Sequence, residues 1–382
     1  MNCIKGISFF CLSEFCRLKS DETDDCEDVP ASNLHEYRPI SSNSLKKHGG
    51  HQSWIKPIFA GMPILDGTSY RPPWYLPSGH LQTLYPYFFR KVRPEYMRER
   101  ITLPDGDFVD LDSLRQHSKN LAFLCHGLEG DSSSQYIRGM ADFLYRRGWD
   151  VIALNFRSCS GEPNRVLQSY HHGEIRDLTY LLEQLNASGE YHRIVPIGFS
   201  LGGNVVLKYL GSHGEQLPDT IHGGIAVSVP TDLLSSSRRL DQWDNWIYTR
   251  RFRMNLKEKF EAKDRLFPGV LDMHRWNEVK RWEDFDNTYT SKIFGFRDAY
   301  AYYEQGSANN FLQGLRRPTL LINALNDPFL ETPSYPYERA KDSRFLHLLT
   351  PKEGGHVGFP LAGTTETWEE RVAWEFIQEY LA

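Results

Sequence analysis

Cysteine is scarce where structure would need it. Of six cysteines in 382 residues, Cys3, Cys11, Cys16 and Cys26 crowd the first 26 positions, and only Cys125 and Cys159 fall in the body of the chain. No C-x-x-C pair and no histidine at zinc spacing accompany them, which argues against a zinc module and a disulfide scaffold and leaves no ligand cluster for a metal. No apolar run reaches the roughly 18 residues that a membrane-spanning helix needs. The apolar stretch 4–15 resembles a secretion signal only loosely: it carries Glu14, and it lacks a weighty basic head and a small-residue cleavage site. Positive charge is not in excess either. The formal net charge is −5, so no electrostatic bias toward nucleic acid exists. A cytoplasmic, reducing setting is the plain expectation, with a tail anchored by acylated cysteines as the weaker alternative.

What the chain does have is a core. Hydrophobic residues make up 40%, aromatics 13% and charged residues 24%, a globular composition. Residues 1–50 are the exception, polar and without periodicity, and read as a disordered N-terminal extension. Residues 51–97, rich in proline and aromatics as in Pro72-Pro-Trp-Tyr-Leu-Pro77, read as an arm packed on the domain that follows. From 98 to 382 short apolar runs alternate with helical patterns. Strands are expected at 98–103 and 108–114, joined by an Asp105-Gly106 turn, then at 121–125, 151–156, 194–199, 224–229, 319–324 and 345–349. Helices are expected at 137–147, 172–185, 202–210 and 368–381. Runs apolar on both faces suit a parallel sheet, and the alternation predicts an α/β fold with a doubly wound, mostly parallel sheet. Between about 231 and 312 the alternation stops. Trp243, Trp246, Arg250, Arg251, Phe252, Lys257, Lys259 and Phe260 fall at helical spacing, which predicts an inserted helical cap.

The sharpest motif is Gly198-Phe-Ser200-Leu-Gly202, directly after a strand pattern and directly before a helix pattern. A strand that turns this sharply into a helix exposes the serine hydroxyl, and the glycines leave room for the turn. The helix N-terminus adds a positive dipole beneath an anion developing there. His126-Gly-Leu-Glu-Gly130 follows an earlier strand, where such a sheet completes an oxyanion hole. The expected donors are the backbone N–H groups of Leu201 and Leu128. His126 itself is expected to hold the loop rather than react; with Asp131 it also spells H-x4-D, an acyltransferase-like pattern of little specificity.

Two further motifs end strands. Asn326-Asp327-Pro328 and Gly354-Gly-His356-Val-Gly-Phe359 stand where open α/β sheets gather functional groups. The order Ser200, Asp327, His356 suits a nucleophile, an orienting acid and a general base. Asp232, after another strand, competes with Asp327 for the acid role. Arg157 and Cys159 are candidates for the substrate rim: Arg157 either grips an anionic group or clamps its loop, and Cys159 reads as a small packed residue.

With these blocks in place the chain resembles the bacterial YheT-like esterases of the α/β-hydrolase superfamily, akin to the plant EMB8-like proteins. The resemblance is carried by Leu103-Pro-Asp-Gly-Asp-Phe-Val-Asp110, His126-Gly-Leu-Glu-Gly130, Cys159-Ser-Gly-Glu-Pro-Asn-Arg165, Tyr170-His-His-Gly-Glu174, Gly198-Phe-Ser-Leu-Gly-Gly-Asn204, Asp327-Pro-Phe329 and Gly354-Gly-His-Val-Gly-Phe359, over roughly residues 60–382. It implies the same triad, no cofactor, and hydrolysis of carboxylic esters or, in eukaryotic relatives, acyl transfer to an alcohol. The cap aromatics suggest an apolar, short- to medium-chain or lipid-like acyl group on a small-molecule ester. A non-catalytic binding module on the same fold and a weak membrane-surface contact are the remaining alternatives; nucleic acid is not an expected partner. One departure is Ser158, where the resemblance leads one to expect glycine.

Overall fold

The structure, a computed structural model, describes residues 64–65 and 67–382. The extension expected at 1–50, and the arm up to residue 63, lie outside the described residues. Among the described residues nine strands form one sheet: β1 (Ile64–Leu65), β2 (Met97–Thr102), β3 (Phe108–Leu114), β4 (Asn120–Cys125), β5 (Asp150–Asn155), β6 (Arg193–Phe199), β7 (Gly224–Val227), β8 (Thr319–Ile322) and β9 (Leu346–Leu349). Their order is β1-β9-β8-β7-β6-β4-β5-β3-β2. The β2–β3 and β3–β5 pairs are antiparallel and the rest are parallel.

The helices are α1 (Gly79–Phe89), α2 (Gln135–Tyr145), α3 (Arg176–Ala187), α4 (Leu201–His213), α5 (Leu233–Leu240), α6 (Trp246–Leu266), α7 (Trp282–Phe285), α8 (Ser291–Phe294), α9 (Ala299–Gly306), α10 (Tyr337–Lys341) and α11 (Trp368–Tyr380). Side chains of a strand alternate between its faces, and the buried residues sort accordingly. Leu121, Phe123 and Cys125 of β4 join a core with α3 and α4, through Leu181, Val205 and Leu210. Ala122 and Leu124 join a second core with α2 and α11, through Ile137, Leu144, Val372 and Phe376. A sheet buried on both faces explains why its strands read as unbroken apolar runs.

The differences from the sequence reading are local. The runs expected to end at 229 and 324 leave the sheet two residues earlier; Ser228 adopts φ +54°. The helix expected from 172 starts at Arg176, because His171–Glu174 closes as a turn through a Glu174 N–H bond to His171 O at 3.1 Å. Inside the stretch read as an arm, β1 pairs with β9 and α1 forms around an internal proline, Pro86. Between β7 and β8, α5 to α9 build a small core of their own from Leu256, Trp276, Val279, Trp282, Phe285 and Tyr289.

Candidate active site

β6 enters α4 through Ser200, which takes φ +53° and ψ −119°. Such a conformation costs a non-glycine residue about 1–3 kcal/mol and persists only where the surroundings impose it. Here they do. A side chain on Gly198 would collide with the Gly202 carbonyl, and one on Gly202 with the carbonyls of Cys125 and His126. The Ser200 N–H donates to Val227 O at 2.8 Å, tying the turn to the neighbouring strand. The hydroxyl is left half-buried above the first turn of α4.

His356, in the loop after β9, places Nε2 2.9 Å from Ser200 Oγ. Its Nδ1 faces Asp327, in the loop after β8, at 2.8 Å from Oδ2 and 3.1 Å from Oδ1. A carboxylate accepts, so Nδ1 carries the ring proton and Nε2 is left to accept from the serine. Asp327 also accepts the Phe329 N–H at 2.9 Å. The Phe329 ring lies over the imidazole, centroids 4.2 Å apart. Asp327 and His356 are both buried. The competing Asp232 caps α5, accepting from the Ser235 N–H at 2.8 Å; the structure brings Asp327, not Asp232, to the histidine.

Residues that the sequence reading passed over hold this loop. The Thr83 hydroxyl accepts the His356 N–H at 2.8 Å and donates to Gly79 O at 2.6 Å. Gln82 Oε1 accepts from the Gly354 N–H at 2.8 Å and from the Asn326 side-chain amide at 3.0 Å, while Gln82 Nε2 donates to Leu76 O at 2.8 Å. Asn326 Oδ1 in turn accepts the Gly355 N–H at 3.0 Å. Ser228 Oγ accepts the Val357 N–H at 2.9 Å, a role that its positive φ serves. Gly355 and Gly358 lie directly on α1, with no space for a side chain against Gly79, Thr83 and Gln82.

The 126–130 loop packs against the nucleophile: a Cβ at Gly127 would sit 3.1 Å from Ser200 Cβ. Among the described residues neither the Leu128 N–H nor the Leu201 N–H has a protein acceptor, so two backbone donors stand free beside Ser200. His126 is fully buried. Its Nδ1–H donates to Gly127 O at 2.7 Å and its Nε2 accepts the Phe156 N–H at 3.1 Å. Burial lowers its pKa to about 4, so it is a neutral strut. Glu129 takes φ +54°. Its N–H donates to the Tyr170 hydroxyl at 2.8 Å, that hydroxyl donates to Glu129 Oε1 at 2.8 Å, and Lys259 of α6 donates to the same oxygen at 2.9 Å.

Of the readings offered for the two rim candidates, the structure shows the loop clamp for Arg157 and the packed residue for Cys159. Arg157 is buried and engaged by three carboxylates: Asp177 at 2.6 Å from both Nε and Nη2, Asp105 at 2.6 Å and Asp107 at 3.0 Å from Nη1. It clamps the loop after β5 and does not offer an open cation to substrate. Cys159 is buried beneath Lys259, whose Nζ lies 3.1 Å from Sγ. Burial pushes its thiol up to about 11 against the pull of Lys259, which leaves it protonated. Ser158 takes φ +62°, a conformation glycine adopts freely, and its Oγ accepts the Asn164 N–H at 3.0 Å and donates to Asn164 Oδ1 at 2.5 Å. Among the described residues no group of three His, Cys, Asp or Glu is placed to hold a metal ion. No helix among them is long and apolar enough to cross a membrane.

Comparison with known proteins agrees with this fold. The family model described as the alpha/beta hydrolase fold matches residues 123–362. YheT of Escherichia coli (strain K12), whose name carries the word esterase, is 35% identical over 313 residues, covering 79% of this chain and 91% of its own. A Bos taurus protein named Phospholipase ABHD3 is 26% identical over 342 residues, 86% of this chain and 82% of its own. The solved esterase Pf2001 of Pyrococcus furiosus aligns with a TM-score of 0.51 at 21% identity, over 75% of this chain and 92% of that one, a likeness of fold. The chain belongs to the α/β-hydrolase family, alongside YheT.

Proposed function

We propose that the protein is a serine hydrolase that cleaves carboxylic esters through an acyl-enzyme on Ser200. His356 Nε2 takes the Ser200 proton as Oγ attacks the ester carbonyl, and Asp327 stabilises the imidazolium that forms. The oxyanion develops toward the N–H groups of Leu128 and Leu201; each such donor is worth about 10²–10³ in kcat. His356 returns the proton to the departing alkoxide. Water then gives its proton to His356 as it attacks the acyl-enzyme, and the acid leaves as Ser200 is reprotonated. The observation that carries this reading is the unbroken chain Ser200–His356–Asp327, at 2.9 and 2.8 Å, beside two free backbone donors.

The inserted segment 231–312 acts as a cap that selects the acyl or alcohol group. Tyr248 and Phe252 of α6 set their rings 4.8 and 6.2 Å from Phe329, which lies on His356. An aromatic roof of this kind favours an apolar chain, in line with the phospholipase name that one relative bears. The test is labelling with a fluorophosphonate probe read by intact mass. Wild type takes up one equivalent, Ser200→Ala takes up none, and p-nitrophenyl esters are then turned over with a preference among chain lengths. A folded wild type that resists the probe would overturn the proposal.

A further inference from the structure

We infer that the outer side of α6, together with the exposed side of α1, docks on a lipid bilayer that carries anionic headgroups. The docking itself does not depend on the proposed reaction; the delivery of bilayer-held esters to Ser200 rests on it.

α6 has two sides with different employment. Tyr248, Phe252, Leu256, Lys259 and Lys263 recur every three or four residues and face the protein. Tyr248 and Phe252 cover Phe329, Leu256 joins the small core, Lys259 reaches Glu129, and Lys263 donates to Asn164 O at 2.8 Å. Residues 246, 247, 250, 251, 254, 257 and 258 are exposed on the other side, and a surface helix would ordinarily make them polar. Here Trp246, Ile247 and Met254 are 53%, 54% and 55% exposed, and Trp243, just before the helix, is 85% exposed. α1 adds Phe89 at 66% and, ahead of its start, Trp74 at 90%. The two elements are neighbours. The Arg251 guanidinium lies 4.7 Å from the Tyr87 ring, and His80 stacks on Tyr248 with its Nδ1 3.2 Å from the Tyr248 hydroxyl. Large apolar groups gathered like this mark a contact surface rather than a solvated one.

Charge identifies the occupant. Arg250, Lys257 and Lys280 line a recess of about 430 Å³ that Trp243, Trp246 and Met254 also line. Arg250 has no partner among the described residues, Lys257 pairs only with Glu261 at 3.4 Å, and Lys280 Nζ donates to Asn277 O. Arg253, also in the recess, is taken up by the carbonyls of Val279 and Lys280. The one carboxylate there, Asp241, is already engaged by the Trp282 N–H at 3.1 Å. Cations set among tryptophans match a membrane surface, where indoles settle at headgroup level and ammonium and guanidinium groups meet lipid phosphates. The same helix carries Tyr248 and Phe252 against Phe329, which lies on His356, so a bilayer seated on this face is joined to Ser200 through one helix.

The test uses the full chain with vesicles of phosphatidylcholine alone and of phosphatidylcholine mixed with phosphatidylglycerol, read by co-sedimentation. Wild type is expected to sediment with the mixed vesicles, and to lose about tenfold in affinity or more when salt is raised to shorten the screening length. The pairs Trp243→Ser with Trp246→Ser, and Arg250→Gln with Lys257→Gln, should each weaken binding about tenfold. Both pairs should keep the wild-type rate of fluorophosphonate labelling, since none of the four residues touches the triad. Equal binding by the variants, equal binding to phosphatidylcholine alone, or no binding by a folded wild type would each overturn the proposal. So would a wild type that self-associates through this face, with the variants monomeric and vesicles ignored. Vesicle binding without probe labelling would instead overturn only the esterase reading.

Discussion

α1 and α6 both lie outside the strand–helix repeat of the sheet, and both reach the same site, but with different chemistry. α1 braces the loops that carry Asp327 and His356 through neutral groups: the Gln82 amide and the Thr83 hydroxyl bond to backbone N–H groups and to Asn326. α6 braces the loop that carries Leu128 through a charge, Lys259 on the Glu129 carboxylate. A neutral hydrogen bond contributes about 0.5–1.5 kcal/mol and is indifferent to salt. A buried ion pair contributes little net when whole, yet breaking one partner off leaves an uncompensated charge at about 3–5 kcal/mol. The arrangement separates two duties. His356, the proposed base, is held by groups that never change state, whereas the loop carrying the Leu128 N–H, the proposed oxyanion donor, is held by a residue of the inserted helix, so seating of that helix and orientation of that N–H are linked.

The largest break in this comparison comes from α1. Gln82→Ala removes the acceptor shared by Gly354 and Asn326 in a fully buried place. Displacing a catalytic group by about 1 Å can cost about 10² in rate, and that loss in kcat is expected here with KM little moved. Thr83→Val, which keeps the shape and removes the hydroxyl that accepts the His356 N–H and donates to Gly79 O, should cost about tenfold, near the upper end of what one such bond contributes. Steady-state kinetics with p-nitrophenyl esters, beside thermal melts, decide it. Gln82→Ala with wild-type turnover would reduce α1 to packing.

Next in size is the charged brace. Lys259→Met leaves the Glu129 carboxylate, 2% exposed at its side chain, without its cation. The expected result is kcat/KM about tenfold lower, less than the roughly 10²–10³ that outright loss of one oxyanion donor costs, with Lys259→Arg recovering most of it. The two braces are then told apart by steady-state kinetics: Gln82→Ala should lower kcat further than Lys259→Met does.

The sheet and the positions of Ser200, Asp327 and His356 at strand ends were readable in the chain because their constraints are local. A strand buried on both faces must be apolar throughout, and Ser200, Asp327 and His356 each follow such a run within a few residues. The braces were not readable, since Gln82 and Thr83 act on residues 272 and 273 positions away, and no spacing announces that. Pro86 argued against the helix that carries them. Arg157 was expected at the rim from its place after β5; its neutralisation by Asp105, Asp107 and Asp177 depends on where a hairpin turn and α3 come to rest. The glycine expected at 158 identified a real need for positive φ, which Ser158 meets with help from Asn164.

The smallest expected effect sharpens the comparison by leaving both braces alone. His347 in β9 is buried against the rings of Phe376 and Tyr380, with no partner for Nδ1 among the described residues. Burial lowers its pKa from the model-peptide value of 6.5 to about 4. The unfolded chain therefore takes up this proton first as the pH falls. Stability is fully present above 6.5 and is lost between 6.5 and 4. Replacing it by leucine removes both the titration and the orphaned nitrogen. His347→Leu should unfold with about 2 kcal/mol less loss than wild type on going from neutral pH to about pH 5, measured by urea titration at each pH, while turnover at neutral pH stays unchanged. His126 carries a similarly lowered pKa but holds the oxyanion loop through both ring nitrogens, so a substitution there should lose turnover at every pH. If His347→Leu also lost turnover, the separation between a rigid sheet and a site held by two outlying helices would fail, because a change confined to the sheet would have reached the chemistry.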